Sequence, residues 1–294
     1  MAGLKEVRTR IASVLSTKQI TSAMKMVSAS KLRRAQNAIV QLRPYATKLN
    51  ELLQNLSDSI DNTEEVIYFK EKKINKVLLV LVSSNRGMCG AFNSNVIKAA
   101  NRLISAEYSE VKRKNNLDII CIGKKVSDFY LKRKFNVIST HNEIFDGLTY
   151  AKTSEIAETV MSSFVDGKYD KVVIIYNRFK NAAVQIITDE QFLPIKPIVL
   201  LETKKKTVEY LIEPDKKELV REIVPKSLKI QFYKCIIDSF ASEHGARMTA
   251  MHKATDNASE LIRDLNLQYN KARQANITDE ILEIVSGANA LKSS

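Results

Sequence analysis

Long apolar runs, paired cysteines and local catalytic motifs are all scarce in this sequence. The longest apolar runs, such as Val77 to Val82, are the size of a strand, and none approaches the ~20 residues that span a bilayer. The three cysteines, Cys89, Cys121 and Cys235, lie far apart with no CxxC among them. That argues against a disulfide framework or a zinc site and leaves buried or half-buried free thiols of a reducing compartment. Lys5, Arg8 and Arg10 are not followed by an apolar block, and the helical pattern starts at Leu4 without a cleavage-like break. The expectation is a chain that stays in the compartment where it is made. His141, His244 and His252 are scattered, the last two eight residues apart rather than at the i,i+4 spacing of metal-binding pairs. Gly87-Met88-Cys89-Gly90 lacks the G-x-G-x-x-G pattern, and neither it nor Gly123-Lys124-Lys125 carries the G-K-[ST] ending that handles phosphate and magnesium. The first of these reads as a tight strand-to-helix turn. No constellation for hydrolysis, hydride transfer or phosphoryl transfer emerges, so no catalytic residue, cofactor or metal ligand is expected.

Helix is what the two ends do have. From Leu4 to Ile60 there is no glycine and only one proline, Pro44. Leu4, Val7, Ile11 and Val14, then Leu32, Ala35, Ile39, Leu42, Ala46, Leu49, Leu53, Leu56 and Ile60, follow one heptad seam. An unbroken helix of this length would extend ~85 Å and cannot hide inside a compact domain. Between the two apolar stretches the seam positions are Lys18, Thr21, Lys25 and Ser28, while Ile20, Met24 and Val27 form an apolar stripe on the opposite side. A local register shift explains this, and so does a helix wrapped here by another protein. Residues 1–36 hold eight basic side chains against one acid, more than half of the chain's net charge of +13. Such a face suits a polyanion or an acidic protein surface.

The period changes at Lys76. Val77 to Val82 fits a strand buried on both faces, a helix from Ala91 to Glu110 follows, then a strand Leu117 to Ile122 and a short helix Lys124 to Lys132. Another helix is expected over Ser154 to Phe164, a hairpin from Lys171–Tyr176 and Ala183–Thr188, and a last strand over Thr207 to Ile212. This order predicts a mostly parallel open sheet with helices on its faces. After Pro214 a helix runs to Val224 and is expected to break at Pro225. A second, from Leu228 toward Ala290, carries a seam of Ile237, Ala241, His244, Met248, Met251, Thr255, Ala258, Ile262, Leu265, Tyr269 and Ala272, restarting at Ile277, Ile281, Ile284, Ala288 and Leu291. The reading is therefore α/β: a long antiparallel coiled coil of N- and C-terminal helices plus a central Rossmann-like domain. Its segments are 1–60 (coiled-coil helix), 75–213 (α/β domain) and 214–294 (helices completing the coiled coil).

Four stretches carry a resemblance. Lys18-Gln19-Ile20-Thr21-Ser22-Ala23-Met24-Lys25-Met26-Val27-Ser28, the loop Asn85-Arg86-Gly87-Met88-Cys89-Gly90, and Ser242-Glu243-His244-Gly245-Ala246-Arg247-Met248 with Asn270-Lys271-Ala272-Arg273-Gln274-Ala275-Asn276-Ile277-Thr278 are similar to the gamma subunits of bacterial-type F-type ATP synthases. The resemblance implies a non-catalytic rotor. It would turn inside a ring of alpha and beta subunits, stand with an epsilon subunit on a membrane c-ring, and bind no nucleic acid. It further implies rotor–stator contacts at Met24, Lys25, Arg247, Gln274, Thr278 and Glu280, an apolar tip from Ile277 to Leu291 held in a bearing, and a place on the cytoplasmic side of a bacterial inner membrane. Gly245 departs from the alanine that the family leads one to expect. A coiled-coil adaptor without rotary role, and a basic nucleic-acid-binding protein, are the competing readings.

Overall fold

The computed structural model describes residues 3–56, 67–70, 72–195 and 216–292. The chain forms two compact units, one of Met1–Ser28 with Met248–Ser294 and one of Ala29–Arg247. The two long helices, α1 (Leu4–Leu56) and α6 (Lys216–Lys292), each contribute to both.

The unit of Ala29–Arg247 is built on a five-stranded sheet. Its strands are β1 (Val77–Val82), β2 (Leu117–Ile122), β3 (Asn136–His141), β4 (Lys171–Phe179) and β5 (Gln185–Leu193), in the order β3-β2-β1-β4-β5. The first four are parallel and β5 returns antiparallel to β4 as the expected hairpin. All six side chains of β1 are 0% exposed, which is why its sequence is an unbroken aliphatic run rather than an alternation. Successive residues serve opposite layers. Leu78, Val80 and Val82 face a core closed by α5 (Tyr150–Val165) through Val160 and Phe164, and by α6 through Leu228, Phe232 and Ile236. Val77, Leu79 and Leu81 face a second core closed by α2 (Phe92–Ala106) through Val96, Ala100 and Ile104, and by α4 (Lys124–Lys132) through Val126 and Tyr130. The helix expected to reach Glu110 stops at Ala106 and resumes as α3 (Ser109–Arg113), because the chain turns to bury Tyr108 between them. The three cysteines are free and buried, and burial pushes the Cys121 thiol up to about 12.

Pro225 corrects a further expectation: it lies inside α6 and does not break it. The ~3 kcal/mol cost of an interior proline is met by tertiary packing. Ile223, Val224 and Leu228, on both sides of it, are buried in the sheet core. The expected strand Thr207–Ile212, Ile60 and the side chains of Leu53, Leu56 and Leu291 lie outside the described residues.

The other unit is a helix pair. Thr21 Oγ1 meets Thr255 Oγ1 at 2.9 Å and Lys25 Nζ meets His252 Nδ1 at 3.4 Å, so the two helices of the pair run antiparallel. The buried and half-buried positions of α1 here are Leu4, Val7, Ile11, Val14, Lys18, Thr21, Lys25 and Ser28, with Ser22 and Met24 beside them. Every predicted seam position, the polar ones included, is thus on the seam, and no register shift occurs. On α6 the buried or half-buried set includes Met248, Met251, Thr255, Ala258, Ile262, Leu265, Tyr269 and Ala272, again as expected. From Arg273 to Asn289 every residue is exposed.

Candidate functional site

The loop after β1 is where a fold of this strand order takes its ligands: parallel α/β sheets bind at the carboxyl ends of strands, beside the point where the order reverses. In this chain that place is filled from within. Gly123, at the start of α4, has φ of +101°, and a Cβ there would stand 2.3 Å from the Ser83 carbonyl oxygen. Only glycine lets the two loops approach so closely. The approach brings the amides of the first turn of α4, the natural donors for a phosphate, onto the protein's own oxygens. The Lys124 amide donates to Asn85 Oδ1 (3.0 Å), Lys125 to the Ser84 carbonyl (3.1 Å) and Val126 to Ser83 Oγ (3.1 Å). Asn93, the second residue of α2, ties the same loop by accepting from the Ser84 amide at 3.0 Å and donating to Ser84 Oγ at 2.8 Å and Cys89 Sγ at 3.2 Å. Met88 sits in the left-handed region at φ 60° with its side chain exposed, a backbone state that persists only where its surroundings fix it.

Helix α6 completes the closure. Arg247 is 6% exposed. Its Nη2 donates to the carbonyls of Arg86 (3.1 Å) and Gly87 (3.3 Å), its Nε to Gly87 (3.4 Å), and its Nη1 to Glu243 Oε1 (2.5 Å). Nη1 also lies 3.4 Å from His244 Nδ1. A guanidinium only donates, so Nδ1 is the acceptor and the ring proton is on Nε2, which is buried without a hydrogen-bond partner. Burial, followed by the charges of Arg247 and Lys31, lowers the His244 pKa to about 3; the ring is neutral. Burial raises the Glu243 carboxyl despite its ion pair. Ala246 packs on Cys89 and Phe92, and Gly245 backs onto the β4–β5 turn, where an added Cβ would lie 3.1 Å from Ala182 Cα. The glycine departure thus has a physical cause in this chain: α6 lies too close to Ala182 for an easy alanine.

The six expected contact residues part company in the structure. Met24 and Lys25 are half-buried in the helix pair. Gln274, Thr278 and Glu280 are exposed on the single-helix end of α6, where Thr278 Oγ1 donates to the Gln274 carbonyl at 2.9 Å. Arg247 differs from the rest in pointing inward, its donors turned to the loop carbonyls, Glu243 and His244. Of the expected outward stripe, Ile20 and Val27 are exposed, but its third member, Met24, is half-buried. Sequence reasoning missed the loop-to-helix network altogether. Its one available signal is Glu243 and Arg247 at i,i+4 on the seam side of a helix, where exposed pairs are the rule.

The sequence model of the family described as ATP synthase matches residues 3–291. The ATP synthase gamma chain of Christiangramia forsetii is 55% identical over 291 residues, covering 99% of both chains. That of Flavobacterium psychrophilum is 56% identical over 292 residues, covering 99% of this chain and all of the relative. Among solved structures, a chain of the Euglena gracilis mitochondrial ATP synthase (OSCP/F1/c-ring) has a TM-score of 0.70 at 22% identity, covering 98% of this chain and 94% of that one. A chain from the Tetrahymena thermophila mitochondrial enzyme's central stalk and c-ring has a TM-score of 0.61 at 24% identity, over 80% and 99%.

Proposed function

This chain belongs to the ATP synthase gamma-chain family, and from that premise we infer that it is the central-stalk rotor of a membrane ATP synthase. It is a non-catalytic subunit: at its loop-to-helix site the Arg247 donors pair with the loop carbonyls and Glu243, which makes the site a structural joint. It turns within the ring of alpha and beta subunits, and its successive contacts shift each catalytic subunit among its conformations. An epsilon subunit and a membrane c-ring complete the rotor. No helix among the described residues is long and apolar enough to cross a membrane. The chain reaches the cytoplasmic face of a bacterial inner membrane through the complex.

The observation that carries the reading is the abrupt change along α6. Up to Ala272 the helix has a seam; from Arg273 to Asn289 it has none, yet Ile277, Ile281, Leu282, Ile284 and Val285 stand exposed. Single exposed apolar residues are ordinary, but a cluster of five within nine residues marks a surface that another protein covers. A bearing in the catalytic ring fits it. The exposed Ile20 and Val27, with Met24 and Lys25, form the second contact, and Gln274, Thr278 and Glu280 the third. The basic first helix meets acidic loops of the ring in contacts that form and break with little desolvation.

Two measurements test this. Isolation of the tagged chain from membranes should bring down the nucleotide-binding subunits, and their absence would sink the rotor reading. Truncation after Ala275 should abolish proton-driven ATP synthesis in the assembled complex. Full retention of coupling would refute the role given to the tip.

A further inference from the structure

The joint between α6 and the loop after β1 has a mechanical consequence. Helix α6 is held in the α/β unit by two kinds of contact. Ile223, Val224, Leu228, Phe232 and Ile236 are buried in the sheet core. Such apolar packing opposes separation, but it is non-directional and gives little resistance to small rotations of the helix about its own axis. Hydrogen bonds are directional and weaken steeply with angle. Gln231 bonds Glu190 of β5 at 2.7 Å and Lys229 pairs with Glu158 of α5, but both lie well before Arg247, the last residue of the α/β unit on α6, which makes directional bonds to the loop at that point. Its fork spans two consecutive loop carbonyls, while the same guanidinium is pinned from behind by Glu243 one turn earlier. Any twist of α6 at residue 247 must break these bonds or carry the loop with it. The loop cannot yield alone, because Asn93 ties it to α2 and Ser83, Ser84 and Asn85 tie it to α4.

We propose that Arg247 is a positioning residue: a latch through which the loop of Ser83–Gly90 grips α6 where the helix leaves the α/β unit, so that torque passes between helix and sheet at that residue instead of being lost as twist of the turns before it. This rests on the rotor reading. It also replaces the direct stator contact expected of Arg247 with a role inside the rotor. Lysine cannot substitute, since one ammonium on a flexible stem cannot hold two carbonyls and a carboxylate in fixed geometry.

The test uses the whole ATP synthase carrying Arg247→Lys, Arg247→Met, or Arg247→Met together with Ala246→Cys. Ala246 packs against native Cys89, so oxidation of the last variant joins loop to helix by a disulfide. With the catalytic ring fixed and arrested, the angular fluctuations of a bead on the α/β unit are recorded, alongside the ATP hydrolysis rate and hydrogen exchange of residues 84–90. Arg247→Met is expected to widen the fluctuations and to speed loop exchange at least about tenfold, the equivalent of one lost charged hydrogen bond, with hydrolysis retained. Arg247→Lys should fall between. Oxidation of the double variant should narrow the fluctuations to the wild-type width and reduction should widen them again. A merely structural arginine would not give this redox-reversible change in stiffness. Unchanged widths in both single variants, widths that stay broad with the disulfide formed, or failure of the disulfide to form would each overturn the latch. Failure of the rotor reading would look different: the wild-type chain would not assemble or the bead would not turn.

Discussion

In the α/β unit, six consecutive side chains of β1 are wholly buried, and two helices close over each face, α5 and α6 on one and α2 and α4 on the other. In the helix pair of residues 4–28 and 248–272, by contrast, most seam positions remain partly exposed, and Lys18, Thr21, Lys25 and Ser28 take places where a coiled coil puts aliphatics. Two helices alone have only a narrow strip to hide, and here that strip is partly polar. The sheet unit has the means to be stable by itself. The pair gives up apolar burial in its middle and keeps apolar residues on its outside, at Ile20 and Val27, which favours a surface adapted to surroundings over one adapted to its own stability.

The sharpest break of this comparison lies in the sheet unit. Phe232 is 1% exposed and stacks obliquely on Phe192, with ring centroids 5.6 Å apart. Phe232→Ala should cost about 3–5 kcal/mol, the transfer of the ring plus the cavity it leaves, read as a lower denaturant midpoint with unchanged slope. Glu243→Gln comes next. It leaves Arg247 buried without its counter-charge, and breaking a buried pair this way typically costs about 3–5 kcal/mol. Part of that is spared here because the loop carbonyls remain as acceptors. A loss near zero would mean that those carbonyls alone hold the guanidinium.

Two buried groups give this unit opposed pH dependences. His244 ordinarily titrates near 6.5, but in the fold its pKa is lowered to about 3. Protons therefore bind the unfolded chain more readily, and stability present above pH 6.5 is lost as pH falls from there toward 3. Asp238 has its pKa raised from 3.8 to about 6, chiefly by burial, with Lys234, Arg178 and Arg43 opposing and Glu190 adding to the rise. Its stability is present below pH 3.8 and lost as pH rises to 6. At ~1.4 kcal/mol per pKa unit the two are worth at most about 5 and 3 kcal/mol. His244→Gln removes the acid-labile contribution and keeps that of Asp238, so between pH 6.5 and 4 the variant should lose less stability, or gain more, than wild type in denaturant titrations. Parallel curves for the two proteins would refute a neutral buried His244.

How much of this was legible in the sequence depends on how far each signal reaches along the chain. The seams over residues 4–28 and 248–272 were readable position by position, because heptad spacing survives polar substitution: Lys18 and Thr21 sit where the count places them, whereas the restart expected at Ile277, Ile281, Ile284 and Ala288 is exposed and forms no seam. The βαβ order and the β4–β5 hairpin were readable from β1's aliphatic run and the alternations that follow. Strand β3 was not, because Asn136-Val137-Ile138-Ser139-Thr140-His141 is an edge strand, half exposed, with composition close to a loop's. The uninterrupted helix through Pro225 was not readable either, since the packing of Val224 and Leu228 that outweighs the proline is tertiary. The joint at Arg247 was hidden for the same reason: its partners lie about 160 residues away.

Within the helix pair, the polar seam can be tested directly. Thr21→Val with Thr255→Val removes a buried hydroxyl pair and replaces it with apolar groups of similar shape. Exchanging both partners is near neutral or stabilising, so the double variant should change stability by roughly 0 to +1 kcal/mol. Either single variant leaves the remaining hydroxyl only its bond to its own helix, to the carbonyl of Lys18 or of Met251, and should cost about 0.5–1 kcal/mol. A large loss in the double variant would show that the hydroxyl pair, not the packing around it, sets the register of the helices.

The smallest stability effect belongs to the end of α6, and it separates stability from function most cleanly. Ile281 and Ile284 are 55% and 71% exposed, so Ile281→Ser and Ile284→Ser remove little buried surface. Each should shift the chain's own stability by no more than about 0.5 kcal/mol, as surface substitutions do. The same two changes in the assembled enzyme should lower proton-driven ATP synthesis if these side chains run in an apolar bearing, because an uncompensated hydroxyl would then be pressed into a greasy sleeve. A chain as stable as wild type in an enzyme that synthesises ATP as fast as wild type would show that the apolar end is incidental, and would leave the contact to Gln274, Thr278 and Glu280.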